Sequence, residues 1–136
     1  MYLLVLRDGS ERVLCIRVGP CEFSGLVEPL SRSQPDGLPW RPRTHDLICS
    51  LIEKMGARIT KVVIDDLWNE VFFAKLHLRL DGRTIAVDAR PSDAIALALR
   101  AGSPLFCEGS VLAAAGESAS SYREGPDDFP AADNLD

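Results

Sequence analysis

The segment Val87-Asp-Ala-Arg-Pro-Ser-Asp93 crowds two carboxylates, a guanidinium and a hydroxyl into one short stretch. Asp88 and Asp93 are candidates to hold a hard divalent cation such as Mg2+ or Mn2+, which prefers oxygen ligands. Arg90 is a candidate anion clamp and Ser92 a further polar group beside it. His45-Asp46 adds an imidazole able to move a proton and a third carboxylate for the metal. Lys75, His77 and Glu22 complete the set. Carboxylates around a metal ion, with a base and a cation nearby, are the parts needed to hydrolyse a phosphodiester.

Each residue also has a plain structural reading. Ser92 and Asp93 would satisfy the free N–H groups of the helix they begin. Asp46 would complement a helix dipole. Arg90 and Arg100 would pair with Asp88 or Asp93 to fix the fold, and His45 would serve structure in a helical first turn. Lys75 and His77 would line a solvated sheet face, and Asp65-Asp66 would end a strand. No H-N-H-type motif, run of paired acids at metal spacing or Gly-rich phosphate loop is present. The nine aromatic residues fall mostly in predicted core, which argues against a platform for stacking single-stranded bases.

The elements that must position these residues follow from periodicity. Met1–Arg7 reads as a strand, Asp8-Gly9-Ser10 as a turn, and Arg12–Val18 alternates as a half-buried partner strand. Pro20 to about Leu30 reads as a short helix, with Pro20 tolerated in its first turn. Residues 31–43 carry three prolines and are loop. Thr44 is the expected N-cap of a helix whose apolar face holds Leu47, Ile48, Leu51, Ile52 and Met55, with Gly56 as its stop. Arg58–Asp66 and Val71–Leu80 are strands.

Asp81-Gly82 is the strongest hairpin signal. It sets Leu80 opposite Arg83, Leu78 opposite Ile85 and Leu76 opposite Val87, and on the other face Lys75 opposite Asp88. His77 then lies diagonal to Asp88. Ala94–Arg100 is a helix whose small side chains allow close approach to a sheet. Leu105–Cys107 is a short strand, and Ser110 is the expected cap of a last helix, Val111–Ala115. The expected fold is α/β (α+β), a mixed, largely antiparallel sheet with three to four helices packed on it. It forms one domain over residues 1–116, followed by a disordered acidic tail, 117–136.

A chain of 136 residues, 46% of them hydrophobic, buries a core without a disulfide or metal staple. The net charge of −5 belongs to the segment 117–136, while residues 1–116 carry 14 acids and 14 bases. A neutral core has no global pull on a phosphate backbone, so nucleic-acid binding must use a local patch and depend on salt. Cys15, Cys21, Cys49 and Cys107 show no metal spacing. Cys15, Cys49 and Cys107 read as buried thiols, while Cys21, near a helix start, has the position of a minor nucleophile candidate. With no apolar run long enough for a membrane span and no secretory signal at the start, the expected setting is the cytoplasm.

Val18-Gly-Pro-Cys-Glu22, Arg43-Thr-His-Asp-Leu47, the stretch Val87–Arg100 and Ala101-Gly-Ser-Pro104 together resemble the bifunctional nuclease domain family. The likeness runs from about residue 1 to 116, and the 87–100 stretch is its most distinctive part. It implies a mixed α/β domain that self-associates, and a nonspecific DNase and RNase activity assisted by a metal. The rival expectation is a non-catalytic oligomeric module, regulatory or adaptor, whose polar segment builds a subunit interface or binds a small anion.

Overall fold

The computed structural model describes residues 1–30 and 41–121. Most of the Pro-rich loop and of the acidic tail therefore lies outside the described residues. The elements run β1 (Tyr2–Arg7), β2 (Arg12–Val18), α1 (Pro20–Val27), α2 (Thr44–Lys54), β3 (Arg58–Trp68), β4 (Val71–Leu80), β5 (Arg83–Ala89), α3 (Pro91–Ala101), β6 (Leu105–Cys107), α4 (Gly109–Ala115) and β7 (Glu117–Ser118). The expected mixed α/β architecture is present, with its strands divided between two sheets rather than one. One has the order β1-β2-β7 and the other β5-β4-β3-β6. The second is antiparallel except where β6 joins β3 in parallel.

Tight turns fix the register of the larger sheet. Asp81 and Gly82 both have positive φ, as do Asn69 and Glu70 in the preceding hairpin. That backbone twist matches the twist of paired strands, which is why two-residue hairpins favour it. Leu80 pairs with Arg83, Leu78 with Ile85, Leu76 with Val87 and Lys75 with Asp88, as the alternation requires. Bulges in β3 lie between Ile59 and Lys61 and between Ile64 and Asp66.

Helix ends differ from expectation in α1, α2 and α4, and α3 takes in Pro91 to Asp93 ahead of Ala94. Helix α1 stops at Val27, three residues early. Helix α2 is capped from Arg43 rather than Thr44, because the Asp46 carboxylate reaches back to accept the Arg43 N–H at 2.9 Å. Helix α4 starts after Glu108, and Ser110 makes no cap bond. Just past Gly116, β7 pairs with Arg12 and Val13 of β2.

Helix α3 organises the core. Pro91, Ser92, Ala94, Ile95, Ala96, Leu97 and Ala98 are all buried, so little of its surface meets water. It packs on β3 and β4 below and on α1 and α2 at its flanks. Ala94 on the helix and Ala74 on β4 are both fully inaccessible, which leaves room only for a close approach of helix to sheet. Ile59, Val62, Ile64, Leu76 and Leu105 fill the same cluster from the sheet. Ala94→Leu is predicted to cost about 1–3 kcal/mol by overpacking this contact. Urea unfolding would show it, and an unchanged midpoint would mean the helix sits further off than described.

Candidate functional site

Helices α1, α2 and α3 converge at a network of charged side chains. Asp93, in the first turn of α3, has both carboxylate oxygens engaged. Oδ1 lies 3.1 Å from His45 Nε2, and Oδ2 accepts from Arg90 Nε at 2.8 Å. Arg90 also donates through Nη1 to Glu22 at 3.0 Å. Burial on its own would raise the Asp93 carboxyl, but the bonds from Arg90 and His45 outweigh it and hold it below the ordinary value. Asp93 is thus ionised, and a carboxylate can only accept, so His45 Nε2 carries the proton it shares with Asp93. Asp93 in turn holds the Arg90 guanidinium above its usual range.

His45 is seated against α1. A β-carbon at position 25 would lie 2.9 Å from both Cε1 and Nδ1 of the ring, so the site accepts His45 only because residue 25 is glycine. An isolated glycine inside a helical pattern is a known mark of close packing, and Gly25 carried that signal in the sequence.

Beside this lies a second centre. The Arg100 side chain is only 8% exposed, with Asp46 at 18%. Arg100 donates through Nε to Asp46 at 2.7 Å, and through Nη1 to the carbonyls of Gly25 at 2.7 Å and Ala96 at 2.9 Å. Its Nη2 reaches Glu28 at 3.4 Å, and Arg43 pairs with the same Glu28 at 3.2 Å. One guanidinium therefore ties all three helices together. Burial raises the Asp46 carboxyl, but the Arg43 N–H and Arg100 outweigh that and leave it lowered.

The residues named from sequence fall into two groups. His45, Arg90 and Asp93 come together, with Glu22 joining through Arg90 and Asp46 in the adjacent pair with Arg100. Ser92 is buried in the first turn of α3. Asp93 is committed to side chains rather than to capping its helix. Asp88 stands apart: its bond among the described residues is to Lys75, at 2.8 Å, with Asp65 on the other side of Lys75 at 3.6 Å. This ion pair, made first through the Asp88 hydrogen bond, raises the Lys75 pKa. His77 faces Lys61 on β3 and Ala86 on β5. Among the described residues no three His, Cys, Asp or Glu side chains gather closely enough to hold a metal ion. Glu28, Arg43 and Gly25 were not singled out from sequence. Cys15, Cys49 and Cys107 are partly buried, and burial pushes each thiol up; Cys21 is exposed. No described helix is long and apolar enough to cross a membrane.

Comparison with known proteins gives a match to the bifunctional nuclease domain over residues 4–120. An uncharacterized protein of Mycobacterium tuberculosis is 40% identical over 115 residues, covering 84% of this chain and 66% of that protein. Bifunctional nuclease 1 of Oryza sativa subsp. japonica is 29% identical over 106 residues, covering 76% of this chain and 31% of that protein. The bifunctional nuclease of Oryza minuta matches to the same extent. The chain thus spans less than two thirds of the length of these relatives.

Two outcomes follow from the network. Arg100→Met strands the Asp46 carboxylate in a poorly hydrated place and is predicted to cost about 3 kcal/mol. The double variant Arg100→Met/Asp46→Leu should recover much of that in denaturant unfolding. Asp46 and Asp93 both lie below their unfolded value, roughly 3.9 for an aspartate. Their stabilisation is therefore complete above about pH 5 and lost as pH falls through the folded values. Acid unfolding of Asp46→Asn should show a shallower pH dependence than the unaltered chain.

Proposed function

The chain belongs to the bifunctional nuclease domain family, and on that premise we propose that it hydrolyses phosphodiester bonds in DNA and RNA with low sequence specificity. The observation that carries the reading is Asp93 held between the His45 imidazole and the Arg90 guanidinium. In this reading Asp93 orients His45 through Nε2, leaves Nδ1 as the nitrogen that takes a proton from water, and steadies the charge the ring then gains. Arg90 is 64% exposed and uses Nε and Nη1 internally, which leaves Nη2 to bind a phosphate oxygen. A correctly placed general base contributes about 100-fold or more to such a reaction.

The cluster sets two carboxylates, Glu22 and Asp93, against one guanidinium. A phosphate approaching Arg90 therefore also meets negative charge. Among the described residues the arrangement does not form a ready metal cage. Mg2+ characteristically uses one or two carboxylates together with substrate phosphates. We propose that Mg2+ or Mn2+, where it assists, arrives with the nucleic acid. The proposal keeps the cytoplasmic setting expected from the sequence, with which four unpaired cysteines agree.

A second reading, the non-catalytic oligomeric module, draws on strand β5. It is the edge of its sheet and exposed along nearly its whole length, with Ile85 at 37% and Val87 at 41%. An open edge strand with apolar side chains is a ready template for a second copy. Homo-oligomerisation through β5 is part of either reading.

Cleavage of plasmid DNA and of RNA, with Mg2+, Mn2+ or EDTA, separates the two. His45→Ala and Asp93→Asn, checked for folding, should each lose about 100-fold or more of the rate. No cleavage by the unaltered chain would leave the adaptor reading, and cleavage retained by both variants would place the chemistry at another site or in a contaminant. Asp88→Asn gives an internal contrast: retained activity keeps the chemistry at α3, and loss would bring the hairpin end into it. Ile85→Lys/Val87→Lys should lower the mass measured by light scattering, and an unchanged mass would place the interface elsewhere.

A further inference from the structure

The outer face of the larger sheet, away from the helices, carries charge in two unlike halves. Toward the β5–α3 end, Lys75 is enclosed by Asp65 and Asp88. Toward the Asp81-Gly82 turn, Arg58 stands directly opposite Arg79, and Lys61 opposite His77. Arg58, Lys61 and Arg79 are exposed, and none of them has an ion pair with a carboxylate among the described residues. Asp81, in the adjoining turn, pairs with neither arginine. Like charges opposite one another across strands are destabilising. The fold answers that repulsion with acids at one end of this face and leaves it unanswered at the other.

An aromatic ring adjoins the unanswered half. Phe106 lies next to Val63 in the parallel ladder and is 47% exposed. The Lys61 ammonium sits 6.0 Å from its ring centroid. Leu105 and Cys107 of this short strand turn inward, which leaves Phe106 between them facing out. Cations in a row beside an exposed ring are complementary to a chain of phosphates bearing flat bases.

We propose that this face binds a single strand of DNA or RNA, with phosphates on Arg58, Lys61 and Arg79 and a base stacked on Phe106. The surface is separate from the His45–Asp93–Arg90 cluster. Ala74, beside the strand end that leads to Arg90, is five residues from Arg79 along β4, about 17 Å at the usual strand rise. It would hold the substrate strand at a distance from the cut. The proposal rests on the nuclease reading only for choosing nucleic acid over other polyanions.

The test is fluorescence anisotropy with a labelled phosphorothioate oligothymidine, which resists cleavage, so binding is read whether or not the protein is a nuclease. The full chain is compared with Arg58→Ala/Arg79→Ala, Lys61→Ala and Phe106→Ala over a range of salt. The double arginine variant should bind about tenfold or more weakly at low salt, and its log–log salt slope should shrink by about 1.4, the share of two phosphate contacts on a single strand. Phe106→Ala should weaken binding about fivefold or more and reduce any preference for single strand over duplex. Thermal unfolding of the double variant should be unchanged or raised, because a like-charge pair is removed. Equal binding by the variants, or an unchanged salt slope, would overturn the proposal. So would tighter binding of polyglutamate than of the oligonucleotide, which would make the face a site for acidic protein segments.

Discussion

A nearly buried guanidinium is the constraint on which the arrangement of this protein depends. Arg100 must find acceptors for its donors once water is excluded, and it finds them on three helices: the Gly25 carbonyl on α1, Asp46 on α2 and the Ala96 carbonyl on its own helix. Losing Asp46 would take away the nearer counter-charge, and losing either carbonyl would leave an N–H unpaired in a poorly hydrated place. The helices are therefore fixed relative to one another, and the cluster above them inherits that geometry. His45 lies one residue before Asp46, and Asp93 lies two turns before Arg100 on α3. Holding Asp46 against Arg100 brings His45 and Asp93 within hydrogen-bonding distance.

The same economy explains why α3 is so apolar and so small in side chain. A helix gripped by a sheet beneath and by two helices at its flanks has little surface to give to solvent. Its alanines allow the approach, and its two ends carry the polar work, with Arg90 and Asp93 at the start and Arg100 near the finish. The sheet solves a different problem. Its inner face is filled by aliphatic residues from β3, β4 and β6, while its outer face is free to hold charge. One half of that face is internally neutralised and the other is not.

The parts legible in the sequence were those with a strict local period or a demanding turn. Asp81-Gly82 settled the β4–β5 register, because a two-residue loop with positive φ admits few alternatives and one slip would turn every side chain over. The pairing of Lys75 with Asp88 followed from it. What could not be read was the partner of each charge at long range. Asp46 and Arg100 are far apart in the chain, and nothing local marks them as a pair. The grouping of Asp88 with Asp93 reflected closeness in sequence. The strand ends at Ala89 and the helix cap at Arg90 intervene, so Asp88 points to the outer sheet face and Asp93 to the helices. Asp46 sits in the first turn of α2, where it suits the helix dipole, and it also accepts the Arg43 N–H and neutralises Arg100, a long-range role with no local mark. The bifunctional nuclease likeness was legible because the Val87–Arg100 segment supplies both a strand end and the pivotal helix.

Asp93 holds His45 in one tautomer by accepting its Nε2 proton. Nitrogen-15 NMR of the histidine rings, at mildly alkaline pH, observes this directly. The account predicts that the His45 ring is protonated at Nε2, with that proton coupled to the Asp93 carboxylate, and that Asp93→Asn disturbs the pattern. A His45 ring averaging between tautomers, or protonated at Nδ1 with Nε2 bare, would contradict it.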